Sequence, residues 1–123
     1  MPRKKILLVD DSNTALMMER TLLSKSAYDV VVARDGREAL RQAVDEAPDL
    51  IILDVVMPHM DGFQACRELR KLEATRAIPI IMVTTRGEPH NVENGFEAGC
   101  NDYVTKPING PELVSKVRNL IGE

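Results

Sequence analysis

The stretch Asp49-Leu50-Ile51-Ile52-Leu53-Asp54-Val55-Val56-Met57-Pro58 decides the fold. Four aliphatic residues run unbroken into one carboxylate, and Pro58 stops the chain four residues later. A short apolar run bounded in this way reads as a strand buried on both faces, the mark of a central strand in a parallel sheet. Open parallel sheets bind ligands beyond the carboxyl ends of their strands, so Asp54 stands where chemistry is expected.

The same pattern recurs outward from this strand. Lys5-Ile6-Leu7-Leu8-Val9 runs into Asp10 and Asp11, and Tyr28-Asp29-Val30-Val31-Val32-Ala33 is short and β-branched. Ile78-Pro79-Ile80-Ile81-Met82-Val83-Thr84-Thr85 is a fourth run and Asp102-Tyr103-Val104-Thr105-Lys106-Pro107 a fifth. Helical patterns fill the intervals. Ser12 or Asn13 caps a first helix with Leu16, Met17, Thr21 and Leu22 or Leu23 at helical spacing. Asp35-Gly36 starts a second, with Ala39, Leu40, Ala43 and Val44 on one face, and Pro48 closes that unit. Asp61 caps a third, carrying Phe63, Cys66, Leu69, Arg70 and Leu72. Gly87-Glu88-Pro89 introduces a weaker fourth through Val92, Phe96 and Ala98, ended by Gly99 as a left-handed cap. Pro111 opens a fifth, with Leu113, Val114, Val117, Leu120 and Ile121 inward. Five alternations with short connections predict a doubly wound α/β fold: five parallel strands in the flavodoxin-like order 2-1-3-4-5, with helices on both faces.

At 123 residues the chain reads as one domain, 1–123, with no linker or repeat. A net charge of −3 gives no bulk electrostatic case for nucleic-acid or anionic-membrane binding. The basic start is followed by only four apolar residues before Asp10, which excludes a signal peptide or membrane span there. Cys66 and Cys100 have no metal spacing and read as reduced, packed thiols of a cytoplasmic protein. His59 and His90, each without an acid partner at a useful spacing, read as ordinary exposed side chains.

In a parallel sheet all strand ends face one edge. Asp10, Asp11, Asp54, Thr84, Thr85 and Lys106 should therefore converge in one cleft. Clustered carboxylates repel and invite a divalent cation. An all-oxygen donor set with no His or Cys favours a hard ion, Mg²⁺ ahead of Mn²⁺, which leaves room for phosphate oxygens. Lys106 supplies a compact positive charge and Thr84 a hydroxyl donor, and a carboxylate beside them is a plausible nucleophile toward phosphorus.

The motifs Leu8-Val9-Asp10-Asp11-Ser12, Leu53-Asp54-Val55-Val56-Met57-Pro58, Met60-Asp61-Gly62, Val83-Thr84-Thr85, Glu97-Ala98-Gly99-Cys100-Asn101-Asp102-Tyr103 and Thr105-Lys106-Pro107 are together highly specific. Over essentially its full length the chain resembles the CheY-like receiver domain of two-component response regulators. The resemblance implies that Asp54 is the phosphoacceptor. It implies a metal held by Asp10, Asp11, Asp54 and the backbone carbonyl of Val56, with Asp11 the direct ligand and Asp10 acting through water. It implies that Lys106 contacts the phosphoryl group, aimed by a cis Lys106-Pro107 peptide, and that Thr84 donates a hydrogen bond to it. It further implies a switch in which Thr84 moves toward the phosphoryl group and Tyr103 turns into the vacated space. The implied partners are a histidine kinase and either a downstream target protein or a histidine phosphotransfer protein, bound at the surface of the fourth helix, fifth strand and fifth helix. Nucleic acid and membrane are not expected partners.

With no output domain encoded in the 123 residues, the expectation is a stand-alone signalling protein in chemotaxis, motility or development, not an enzyme with its own substrate. Val56 and Arg86, two residues beyond Asp54 and Thr84, are expected to lengthen the phosphoryl lifetime, since an apolar Val56 cannot orient water. A phosphatase of the haloacid dehalogenase kind would need a second Asp where Val56 stands. A flavodoxin-like cofactor binder would not place Asp10-Asp11 against a phosphate. A degenerate receiver serving as a docking module would have lost Asp54, Asp11 or Lys106.

Overall fold

Every one of the five apolar runs forms a strand, and each pairs in parallel with its neighbours. In the computed structural model, which describes residues 3–26, 28–57, 60–85 and 89–122, the elements alternate without exception. They are β1 (Lys5–Val9), α1 (Asn13–Lys25), β2 (Asp29–Ala33), α2 (Gly36–Glu46), β3 (Leu50–Asp54), α3 (Gly62–Lys71), β4 (Ile80–Thr85), α4 (Pro89–Ala98), β5 (Asp102–Lys106) and α5 (Gly110–Ile121). The sheet order is β2-β1-β3-β4-β5, the order expected. Met1, Pro2, Ala27, Pro58, His59, Arg86, Gly87, Glu88 and Glu123 lie outside the described residues, as do the side chains of Thr85, which was expected in the cleft, and of Pro89, His90 and Asn91. The expectations placed on Arg86, His59 and His90 therefore have no structural counterpart here.

The alternation of strand side chains splits the core in two. Leu7, Val9, Ile51, Leu53, Ile80 and Met82 face α2, α3 and α4, where Ala39, Ala43, Ala65, Cys66, Leu69 and Ala98 complete one cluster. Ile6, Leu8, Leu50, Ile52, Ile81, Val83 and Val104 face α1 and α5, meeting Leu16, Leu23, Leu113 and Val117. Both cysteines are free and buried, and burial pushes the thiol pKa of each above its ordinary value.

Several local expectations shift, among them Val44, which is 47% exposed although the sequence groups it with the buried Ala39 and Ala43. β4 begins at Ile80 rather than Ile78, because the Ile78 amide is spent on the Thr75 carbonyl at 3.1 Å and Pro79 has no N–H to give a neighbour. α5 is capped by Asn109, whose side chain accepts from the Glu112 amide, so Pro111 sits inside the first turn. α1 presents a different stripe from the one expected. Ser12 caps it by accepting from the Ala15 amide, and the buried residues are Leu16, Glu19 and Leu23, while Met17 is 69% exposed and Thr21 also faces out. The spacing i, i+3, i+7 makes a valid inward stripe, but its middle member is a carboxylate. Gly99 ends α4 at φ +111°, the left-handed cap the sequence predicts.

Arg70, which the sequence groups with the apolar face of α3, instead ties the lower edge of the sheet together. Its guanidinium donates to the carbonyls of Gly99, Arg76 and Ile78 and to Asn101 Oδ1, at 2.7–3.0 Å. Asn101 Oδ1 also accepts from the Ile80 amide at 2.9 Å, fixing the chain entering β4 against the chain entering β5.

Candidate functional site

The strand register brings the expected residues to one edge. Val9 pairs with Leu53, Asp54 with Val83, and Thr85 with Lys106, so β1, β3, β4 and β5 end within a residue or two of one another. Asp10 follows β1, its amide donating to the Ala33 carbonyl at 3.1 Å and its Oδ1 accepting from the Ser12 amide at 2.9 Å. Asp54 is the last residue of β3 and only 3% exposed, and the Val56 amide also bonds its carboxylate. By strand parity Asp10, Asp54 and Lys106 share the face of Ile6, Leu50 and Val104, the side covered by α1 and α5.

Carboxylate oxygens of Asp10, Asp11 and Asp54 lie within 4.8 Å of one another. Asp10 and Asp54 are buried and Asp11 is exposed, so the cluster is open on one side. Lys106 Nζ reaches Asp54 Oδ2 at 3.4 Å and Asp10 Oδ2 at 3.6 Å. One ammonium thus faces two buried carboxylates, with a third at the mouth. The imbalance bears on Asp54, whose pKa is pushed up to about 6 by burial first and the Asp10 charge second, with Lys106 pulling the other way. Burial works against the Lys106 charge, but Asp54 and Asp10 outweigh it and raise its pKa. This anionic excess, built wholly from oxygen donors, fits a hard divalent cation.

The close approach of α3 to the site depends on Gly62. Its amide donates to the Val55 carbonyl at 2.8 Å, and a Cβ there would stand 2.3 Å from the Asp54 carbonyl oxygen and 2.8 Å from Val55 Cα. Both obstacles are backbone and cannot swing aside. Gly62→Ala is therefore expected to cost about 2 kcal/mol or more, lowering Tm by roughly 5–10 °C for a domain of this size, which a thermal melt measures. A melt within 2 °C of wild type would show that the backbone beyond Asp54 yields readily.

Thr84 and Tyr103 lie on the opposite parity. The Thr84 hydroxyl is buried without a hydrogen-bond partner, a costly state for a polar group unless a ligand or a movement satisfies it. Tyr103, opposite Met82 in the register, is half-buried against the α2–α4 cluster. Its ring meets Phe96 edge-on with centroids 6.1 Å apart, and Lys116 Nζ sits 4.8 Å from its centroid. Lys116 also pairs with Asp102 at 3.3 Å and donates to the Tyr103 carbonyl. Val56 is 66% exposed beside the cluster. The Lys106–Pro107 peptide is cis.

Two residues that the strand-end reading missed adjoin this set. Lys116 lies on α5 and is bound to β5 by tertiary packing alone. Glu19 on α1 is 4% exposed, and its pKa is raised to about 7 by burial, then by Asp10, against the pull of Lys106. The only sequence signal for Glu19 is its place between Leu16 and Leu23 on one stripe.

Residues 6–118 match the response regulator receiver domain family. The chain is 41% identical over 118 residues to the alkaline phosphatase synthesis transcriptional regulatory protein PhoP of Bacillus subtilis, covering 96% of this chain and 48% of that protein. It is 40% identical over 116 residues to the response regulator PleD of Caulobacter vibrioides, covering 94% of this chain and 26% of PleD. The chain thus spans about half the length, or less, of these curated relatives. Among solved structures, the receiver domain of a sensor histidine kinase from Pseudomonas aeruginosa, with a magnesium ion coordinated in its active site cleft, superposes with a TM-score of 0.91 at 34% identity, covering 99% of this chain and 100% of that one. The chemotaxis response regulator CheY4 of Vibrio cholerae gives 0.90 at 34% identity, covering 97% and 99%.

Proposed function

This chain belongs to the response regulator receiver domain family, and on that premise we propose that it accepts a phosphoryl group from a histidine kinase onto Asp54. The observation that carries the reading is the pairing of Lys106 with both Asp54 and Asp10 inside an acidic cluster that Asp11 leaves open to solvent. A carboxylate oxygen of Asp54 attacks phosphorus, the P–N bond of the donor phosphohistidine breaks, and the electron pair leaves with the imidazole. Asp10, Asp11, Asp54 and the Val56 carbonyl would hold Mg²⁺, or Mn²⁺, which neutralises the carboxylates and carries phosphoryl oxygens when bound. Lys106 neutralises a further phosphoryl oxygen, and the burial of Asp54 keeps bulk water from the acyl phosphate.

The buried, unpartnered Thr84 hydroxyl supplies the reporter. A phosphoryl oxygen at Asp54 offers it the acceptor it lacks, and its movement frees space for Tyr103, whose ring meets Phe96 and Lys116 at the rim. The α4-β5-α5 surface then changes shape toward a partner protein, either a target or a histidine phosphotransfer protein. Residues 1–123 act as one receiver unit, in the cytoplasm. No helix among the described residues is long and apolar enough to cross a membrane.

The test is acetyl phosphate with Mg²⁺ and intact-mass readout on wild type and Asp54→Ala. Labelling of the wild type alone is the expected result, and equal labelling of both would remove Asp54 from its role. Labelling of neither would favour a docking module that works without phosphorylation.

Val56 sets the lifetime of the product. Its exposed isopropyl group stands beside the acyl phosphate with nothing to orient water. Val56→Asn is expected to speed loss of the label severalfold, followed by mass against time after the donor is removed. An unchanged half-life would assign the lifetime elsewhere; the paired Arg86→Glu variant extends the comparison.

A further inference from the structure

Glu19 is a carboxylate where the packing calls for a hydrocarbon. It lies between Leu16 and Leu23 on the buried stripe of α1, is 4% exposed, and its Oε2 has no hydrogen-bond partner. A buried carboxylate oxygen left without a partner is strongly unfavourable unless a second state of the molecule satisfies it. Glu19 and Lys106 together line a groove of about 260 Å³ between α1 and the turn after β5, with Met18, Leu22, Pro107 and Ile108 as apolar walls. The Ser12 hydroxyl, also on the groove, accepts the Ala15 amide as the helix cap. Among the described residues that line this groove, Glu19 is the only one with a carboxylate.

Lys106 is not tightly held where it stands. Its two ion pairs measure 3.4 and 3.6 Å, at the long end for such contacts, and its side chain is 37% exposed. A divalent cation bound by Asp10 and Asp54 competes for the same oxygens, and two like charges at one carboxylate repel. A displaced ammonium would face solvent or the apolar walls of the groove, with one buried acceptor within the same enclosure.

We propose that Glu19 is a positioning residue for Lys106, a second station that receives its ammonium in the α1–β5 groove when a divalent cation occupies Asp10 and Asp54. The inference rests on the assignment of that cluster as the cation site and extends it to a residue outside the strand ends. Held at Glu19, Lys106 stays beside the site without opposing the cation, and it returns to Asp54 when a phosphoryl group brings new negative charge. Glu19 thereby lowers the cost of exchanging a lysine for a metal.

A double-variant cycle on Mg²⁺ affinity tests this, measured by calorimetry on wild type, Glu19→Gln, Lys106→Met and the double variant. Glu19→Gln is expected to weaken Mg²⁺ binding roughly tenfold when Lys106 is present, and less than about twofold in the Lys106→Met background. Glu19→Leu, which restores a hydrocarbon to the stripe, should weaken Mg²⁺ as Glu19→Gln does while keeping a cooperative melt. An equal loss in both backgrounds would mean that Glu19 acts on the cation only through its field, and no loss in either would mean that it does not act at all; each result overturns the proposal. Acetyl-phosphate labelling of the same four proteins reads the phosphoacceptor assignment separately, so its failure leaves the cation cycle interpretable.

Discussion

Asp54→Asn is expected to stabilise the metal-free protein by about 3 kcal/mol at pH 8 while abolishing phosphoryl uptake. Burial and the Asp10 charge raise the Asp54 pKa from 3.8 to about 6, so the fold prefers the protonated acid. The associated stability is fully present below pH 3.8 and is lost as pH rises through about 6; above that, the native state carries an ionised group it disfavours. About two pKa units correspond to about 3 kcal/mol. An asparagine is neutral at every pH and keeps the shape, so it escapes the loss, and the balance already includes the Lys106 contact it gives up. Urea titrations at pH 4 and pH 8 check the sign: the two proteins should converge at the lower pH and separate at the higher. Mg²⁺ should then reverse the order. Each tenfold excess over its Kd adds about 1.4 kcal/mol to a protein that binds it, and the variant has lost a carboxylate donor. Equal stability at pH 8 would show that the Asp54 carboxylate is not held at a cost, and equal gains from Mg²⁺ that Asp54 is not a donor to the cation.

This cost explains what the sequence could and could not disclose about the site. Asp10, Asp54, Thr84 and Lys106 were legible because each terminates an apolar run, and parallel pairing alone brings such termini to one edge. The strand order and the two-sided core followed from the same runs, since a strand that is apolar on both faces needs helices on both faces. Helix faces were less legible. Along α1 the residues Leu16, Met17, Thr21 and Leu23 make as good a stripe as Leu16, Glu19 and Leu23, and a rule that puts hydrocarbons inside selects the wrong one. The Lys106 ammonium, which opposes the repulsion from Asp10, and the groove that it shares with Glu19 come together only after α1 has packed. Lys116 was hidden for a related reason: its three partners, Asp102, Tyr103 and Glu112, come together across β5 and α5. Gly62 could be read as part of a motif, but its reason, a backbone approach to Asp54 that excludes a Cβ, is tertiary.

Glu19→Gln is expected to flatten the upper part of the stability–pH curve. Burial, reinforced by Asp10, lifts the Glu19 pKa from 4.5 to about 7, so its contribution is fully present below pH 4.5 and is lost as pH rises through about 7. The loss is about 3 kcal/mol, of the same size as that of Asp54 but centred about a pH unit higher. Because the Asp54 charge adds to the rise at Glu19, the two losses are not independent: once Asp54 is neutral, part of the pressure on Glu19 is gone. The double variant Asp54→Asn, Glu19→Gln should therefore gain less at pH 8 than the sum of the single gains. Urea midpoints for the four proteins from pH 4 to pH 8.5 give the comparison. A wild type whose stability stays level between pH 6 and pH 8 would mean that Glu19 already has a partner at neutral pH, and the orphaned oxygen would not describe the protein in solution. A fall that Glu19→Gln removes and Asp54→Asn only reduces would place an ionisable, unsatisfied carboxylate beside Lys106 in the pH range where the proposed exchange of lysine for metal would operate.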